Sequence, residues 1–83
     1  MDVIVYTKNV CGGCETVISY LEQNGVVVEE RNIEDHDKPE HMEQLIETGF
    51  RSVPIVVTSN NVVEPFSGFE MAELDQIIAA YNK

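Results

Sequence analysis

Cys11-Gly12-Gly13-Cys14 is where residue type and spacing in this 83-residue sequence point to covalent chemistry. Two thiols with two residues between them can close a disulfide with each other, and such a pair is redox-active when it stands where a strand feeds a helix. Cys11 then falls at the helix start, where unpaired backbone N–H groups and the positive end of the helix dipole favour a thiolate over a thiol. Cys14 falls one turn in, on the stripe that continues through Val17, Ile18 and Leu21, so its sulfur is expected to be the more buried of the two. This predicts Cys11 as nucleophile and Cys14 as the thiol that resolves the mixed disulfide and releases reduced product. As a staple the pair is poor, since a four-residue loop is worth roughly 2 kcal/mol before strain.

Two other readings of the pair stay open. A structural zinc needs four ligands, and the remaining soft candidates are His36 and His41. The 21 residues between Cys14 and His36 exceed the finger spacing of about 12 to 15, and both histidines stand among acids, where solvated surface positions are expected. Inert thiols are the other. Among the five basic residues, Lys8 lies three before Cys11 and Arg51 three before Pro54. If the loop before Pro54 reaches the dithiol, both cations border it, favour the thiolate and attract a carboxylate-bearing partner; the alternative is that each pairs with a nearby surface acid.

The elements that must position these residues are legible from patterning. Val3, Ile4, Val5 and Tyr6 form an apolar run without alternation, as in a strand covered on both faces. Helical spacing runs from Cys14 to Leu21, with Asn24-Gly25 as its stop. Val26, Val27 and Val28 begin a second strand that ends in the polar stretch from Asn32 to Lys38. Pro39 suits a first helical turn, Met42, Leu45 and Ile46 give an apolar face, and Gly49 a stop. Pro54 opens the run Ile55, Val56 and Val57, and Ser59-Asn60-Asn61 can turn it back into Val62-Val63 as a hairpin. Ser67 and Glu70 match a capping box ahead of a last helix carrying Met71, Leu74, Ile77, Ile78 and Tyr81. The order is βαβαββα, an α/β fold; the two strand-helix-strand passages imply parallel pairing, and the hairpin adds an antiparallel edge to a four-stranded mixed sheet flanked by three helices.

Length and composition bound the rest. Eighty-three residues are one small domain, 1–83, and 43% apolar with 24% charged is an ordinary globular mixture. Fifteen acids against five bases give a net charge of -10, which repels phosphate backbones and anionic lipid, so neither nucleic acid nor membrane is an expected partner. The start, MDVIVYTKNV, has no basic leader and only a four-residue apolar run, which predicts a cytoplasmic protein.

Tyr6-Thr7-Lys8 before the CxxC, Val53-Pro54 opening the third strand, and Ser67-Gly68-Phe69 leading into the last helix together resemble the glutaredoxin branch of the thioredoxin superfamily, over essentially the whole chain. The resemblance implies the thioredoxin-like (glutaredoxin) fold, a cis peptide bond at Pro54 beside the nucleophilic cysteine, and pairing of the Val53 backbone with a bound peptide or glutathione. Gly49-Phe50-Arg51, then Val53-Pro54, with Ser67-Gly68-Phe69, is similar to the NrdH-type redoxins, glutaredoxin-shaped proteins that take electrons from thioredoxin reductase and pass them to ribonucleotide reductase. That implies a monomeric thiol-disulfide oxidoreductase with no tightly bound cofactor, whose partner surface includes Lys8, Gly12, Gly13, Arg51, Ser52, Val53, Pro54, Ser67, Gly68 and Phe69, with no metal site. Phe66 and Glu70-Met71-Ala72 differ from the usual NrdH pattern of Trp and Arg-Pro-acidic, which keeps glutathione open as the alternative reductant. Some glutaredoxins bind iron-sulfur clusters, so a cluster- or zinc-binding module is the rival from another class.

Overall fold

The computed structural model describes residues 1–83 and runs β1 (Val3–Thr7), α1 (Gly12–Gln23), β2 (Val28–Asn32), α2 (Glu40–Glu47), β3 (Ile55–Thr58), β4 (Phe66–Ser67) and α3 (Met71–Tyr81). The sheet order is β2-β1-β3-β4. β1 is buried along its whole length because both of its faces are covered. Val3 and Val5 join Val17 and Leu21 of α1 and Leu74 and Ile77 of α3 on one side, while Ile4 and Tyr6 meet Leu45 and Ile55 on the other. This is why the strand reads as an unbroken apolar run.

Pairing departs from expectation at the second passage. β1 and β2 are parallel, from Val3↔Val28 to Thr7↔Asn32, but β3 lies antiparallel to β1, with Tyr6↔Ile55 and Val3↔Thr58. β2 ends and β3 begins at the same end of the sheet, so the segment carrying α2 passes across β1 and returns to the end from which it left. Pro54 therefore sits beside the end of β1, and so beside the CxxC.

Four smaller differences have local causes. β2 begins at Val28 rather than Val26, because the Val26 amide donates to the Leu21 carbonyl at 3.0 Å and closes α1. In α2 only Leu45 is buried; Met42 and Ile46 are 41% and 66% exposed, and Gln44 turns inward to accept hydrogen bonds from Tyr6 and Arg31. The strand that returns from β3 is Phe66–Ser67, not Val62-Val63. Asn61 takes the left-handed conformation, φ 53°, and Val63 is used as a core plug before Pro65, which has no amide to give a ladder. Finally, no side chain caps α3: its N-cap is Glu70, and the Ser67 hydroxyl donates instead to the Ser52 carbonyl at 2.6 Å. No helix is long and apolar enough to cross a membrane.

Candidate active site

Cys11 and Cys14 are joined by a disulfide with a Cα–Cα separation of 5.3 Å. Cys11 is the N-cap of α1, with extended backbone (φ -152°, ψ 93°), and its sulfur accepts a hydrogen bond from the Cys14 amide at 3.1 Å. That bond is the sulfur counterpart of the oxygen cap usually made by Ser or Asp, and it becomes stronger when the sulfur is anionic. Cys14 is 3% exposed and Cys11 half-buried. The asymmetry follows from helix phase, since Cys14 shares the inward stripe with Val17 and Leu21 whereas Cys11 stands at the open end.

Around the pair the structure gathers two further chain segments, the residues before β3 and the turn before α3. Pro54, preceded by a cis Val53–Pro54 peptide bond, packs on the CxxC turn: a Cβ added at Gly13 would lie 3.5 Å from its Cδ, while one at Gly12 would meet nothing within 4 Å. Neither glycine has a positive φ, so the turn does not require them. The Gly68 amide donates to the Pro54 carbonyl at 2.9 Å, and with the Ser67–Ser52 bond this ties the residues before β3 to the turn before α3. Phe69 stands edge-on to Tyr20 of α1, ring centres 5.3 Å apart, and the Tyr20 hydroxyl donates to Asp75 at 2.6 Å. Donation to that carboxylate raises the Tyr20 pKa above its ordinary value, with partial desolvation and the Asp75 charge acting in the same direction.

The two cations separate. Lys8 lines a cleft of about 400 Å³ that also holds both cysteines. Arg51 is exposed and lines a different, smaller depression with Ile46, Gly49 and Phe50. Nowhere do three or more His, Cys, Asp or Glu side chains converge as a metal site would need. His36 is exposed as expected, but His41 is half-buried with Nδ1 2.9 Å from the Asn32 carbonyl oxygen, so it is a packing residue rather than a solvated one.

Several residues of the site carry no sequence motif. Asn32 Nδ2 donates to Asn9 Oδ1 at 2.9 Å, and the Asn9 amide donates to Glu34 Oε1 at 2.6 Å, which fixes the loop leading to Cys11 onto the segment after β2. Glu30 lines the dithiol cleft, as do Glu15 and Thr7, and accepts a hydrogen bond from the Thr7 hydroxyl at 2.8 Å. The sequence signal for these is weak: polar residues near the ends of paired strands, visible only once the β1–β2 register is known.

Comparison with known proteins reaches the same chemistry. The glutaredoxin family model matches residues 3–63. The glutaredoxin-like proteins NrdH of Lactococcus lactis subsp. lactis (strain IL1403) and subsp. cremoris (strain MG1363) are each 36% identical over 75 residues, which is 90% of this chain and 97% of theirs. Among solved structures, the glutaredoxin-like NrdH-redoxin from Escherichia coli, described for its thioredoxin-like activity profile, aligns with a TM-score of 0.78 at 28% identity, over 93% of this chain and 95% of that one. A glutaredoxin from Archaeoglobus fulgidus aligns with a TM-score of 0.75 at 25% identity, over 93% and 85%.

Proposed function

This chain belongs to the glutaredoxin family, and on that premise we propose that Cys11 and Cys14 reduce protein disulfides by a two-step relay, with ribonucleotide reductase as the physiological target. It is a redoxin of the NrdH type and a dithiol-disulfide oxidoreductase. The observation that carries the relay is the inequality of the two sulfurs: one caps a helix at the rim of a cleft, the other is 3% exposed one turn below, and the two are already bonded. In the forward direction the Cys11 thiolate attacks a substrate disulfide and the first substrate sulfur departs. Cys14, deprotonated, then attacks Cys11; the Cys11–Cys14 bond forms, the Cys11–substrate bond breaks, and the second substrate thiolate leaves. Two electrons have passed from the dithiol to the substrate.

Partner binding falls to the surface around that rim: Lys8 and Gly12-Gly13, the segment Ser52, Val53 and Pro54, and the turn Ser67-Gly68-Phe69, with Arg51 flanking it from its own depression. Their meeting at one end of the sheet supports this reading, as does the half-buried Val53 beside Pro54, whose backbone stands next to the CxxC turn. The protein works in the cytoplasm as a monomer, and thioredoxin reductase with NADPH is the reductant. The test is to offer the oxidised protein NADPH with thioredoxin reductase, or NADPH with glutathione and glutathione reductase. Rapid reduction by the first system is expected, and reduction by the second alone would reverse the assignment. Cys11→Ser should abolish turnover and Cys14→Ser should trap a mixed disulfide with the target; full activity in Cys11→Ser would end the proposal.

A further inference from the structure

Cys14 must lose a proton before it can resolve the mixed disulfide, and burial at 3% exposure disfavours its thiolate, so the relay needs a proton acceptor near a sulfur that bulk water barely reaches. We propose that Glu30 is that acceptor. The proposal rests on the relay assigned above and adds to it a residue with no part in the CxxC, the Pro54 loop or the Ser67–Phe69 turn.

The placement comes from strand register. Glu30 pairs with Val5 in the parallel β1–β2 ladder, and Val5 is fully buried against Val17 and Leu21 of α1, so Glu30 projects from the sheet face on which α1 and Cys14 lie. As an edge-strand residue its carboxylate keeps access to solvent while facing the cleft that reaches Cys14. Its side chain is held there by the hydroxyl of Thr7, itself 1% exposed, at 2.8 Å. One carboxyl oxygen is engaged by Thr7 and the other is available to take a proton. The titratable groups lining the cleft are Lys8 from the β1–α1 loop, Cys11, Cys14 and Glu15 from α1, and Glu30 from β2. Lys8 is the one cation among them and offsets part of the carboxylate charge; Glu15 projects from the exposed helix surface without a partner to orient it.

The step balances without a further reagent. The Cys14 thiol gives its proton to the Glu30 carboxylate across the cleft, and the Cys14 thiolate attacks Cys11. The Cys11–substrate bond breaks with its electron pair on the substrate sulfur, and protonated Glu30 returns the proton to that thiolate or to water. Glu30 ends as it began.

The reduced protein can be mixed with one equivalent of 5,5′-dithiobis(2-nitrobenzoate), which releases one coloured thiolate when Cys11 attacks and a second when Cys14 resolves. In Glu30→Gln, whose side-chain oxygen still accepts from Thr7, the first release should change by less than about fivefold. The second should slow by on the order of 10²-fold near neutral pH. That deficit should shrink as pH rises and hydroxide takes over, and Glu30→Asp should recover part of the rate. An unchanged or faster second release would overturn the proposal, because Glu30 would then be at most a repelling charge. Equal slowing of both releases, or the same selective slowing in Glu15→Gln and not in Glu30→Gln, would overturn it too. Loss of the first release in the wild type would instead refute the relay itself, so the two failures are separable.

Discussion

Cys11 holds two roles that a pair of substitutions can pull apart. It is the proposed nucleophile of the relay, and its sulfur is the side-chain cap at the N-terminus of α1, accepting from the Cys14 amide at 3.1 Å. Cys11→Ser and Cys11→Ala both remove the nucleophile and the disulfide, so both should be inactive, and neither gains or loses a cross-link relative to the other. They differ in the cap. Serine can accept the same amide bond through oxygen, whereas alanine leaves a helix N–H to water, a change that costs about 1 kcal/mol and spans about 0.5 to 2. For a domain of this size each 1 kcal/mol moves the melting temperature by about 4 to 8 °C. Cys11→Ala should therefore melt several degrees below Cys11→Ser, followed by circular dichroism under reducing conditions at one protein concentration. The comparison avoids the wild type, in which disulfide and cap change together. Coincident melting curves would show that the sulfur does not cap the helix, and with that the physical reason for a favoured Cys11 thiolate would weaken.

Three further outcomes test the structure around the site. Because hydrogen bonding to Asp75 raises the Tyr20 pKa, that contribution to stability is present below the phenol's unfolded value and is lost as pH rises through the folded one; Asp75→Asn should bring the alkaline tyrosinate absorbance of one ring to lower pH, and an unchanged titration would exclude the bond. Leu74, fully buried between α3 and the sheet, should cost about 2 to 5 kcal/mol on replacement by alanine in urea unfolding, and a loss under about 1 kcal/mol would contradict the packing. Gly25, with φ 85°, closes α1 where an added Cβ would lie 3.0 Å from Asn82 Oδ1; Gly25→Ala should destabilise by about 1 to 2 kcal/mol from the left-handed backbone alone, and an unchanged melting temperature would refute that conformation.

The elements that face the core on both sides, or that end on glycine, were readable from residue order. β1 declares itself by Val3 to Tyr6, and α1 by the stripe from Cys14 to Leu21 with Gly25 behind it. Legibility failed where a residue had two possible uses. Ser67 and Glu70 have the spacing of a capping box, but Ser67 is drawn into β4 and spends its hydroxyl on Ser52. Met42 and Ile46 have helical spacing with Leu45, yet the four-residue cluster on that side of the sheet has room for Leu45 and a polar seat at Gln44, Tyr6 and Arg31. Val62 and Val63 are β-branched, but only Val63 is buried, and it reaches the core from a turn. In each case local propensity was real and tertiary competition decided the outcome.

The sense of β3 has the largest consequence for the chemistry. Had the second passage produced a parallel strand next to β1, its first residues would lie at the opposite end of the sheet from Cys11, and Pro54 would be about the length of a strand away. Antiparallel pairing, with Tyr6 opposite Ile55, brings the residues before β3 onto the CxxC turn, and the short return through β4 then brings Ser67 and Gly68 onto Pro54. The parallel partner on the other side of β1 does the converse: it carries Glu30 and Asn32 to the same end, where they line the cleft beneath the cysteines. One mixed sheet thus delivers two different surfaces to a single pair of sulfurs. On the β3 side lies the rim proposed to seat a substrate against Cys11, and on the β2 side lies the polar wall of the cleft that Cys14 also lines. A sheet of one sense alone would supply only one of them, and in a chain of 83 residues with an eight-residue α2 there is little material left from which to build the other.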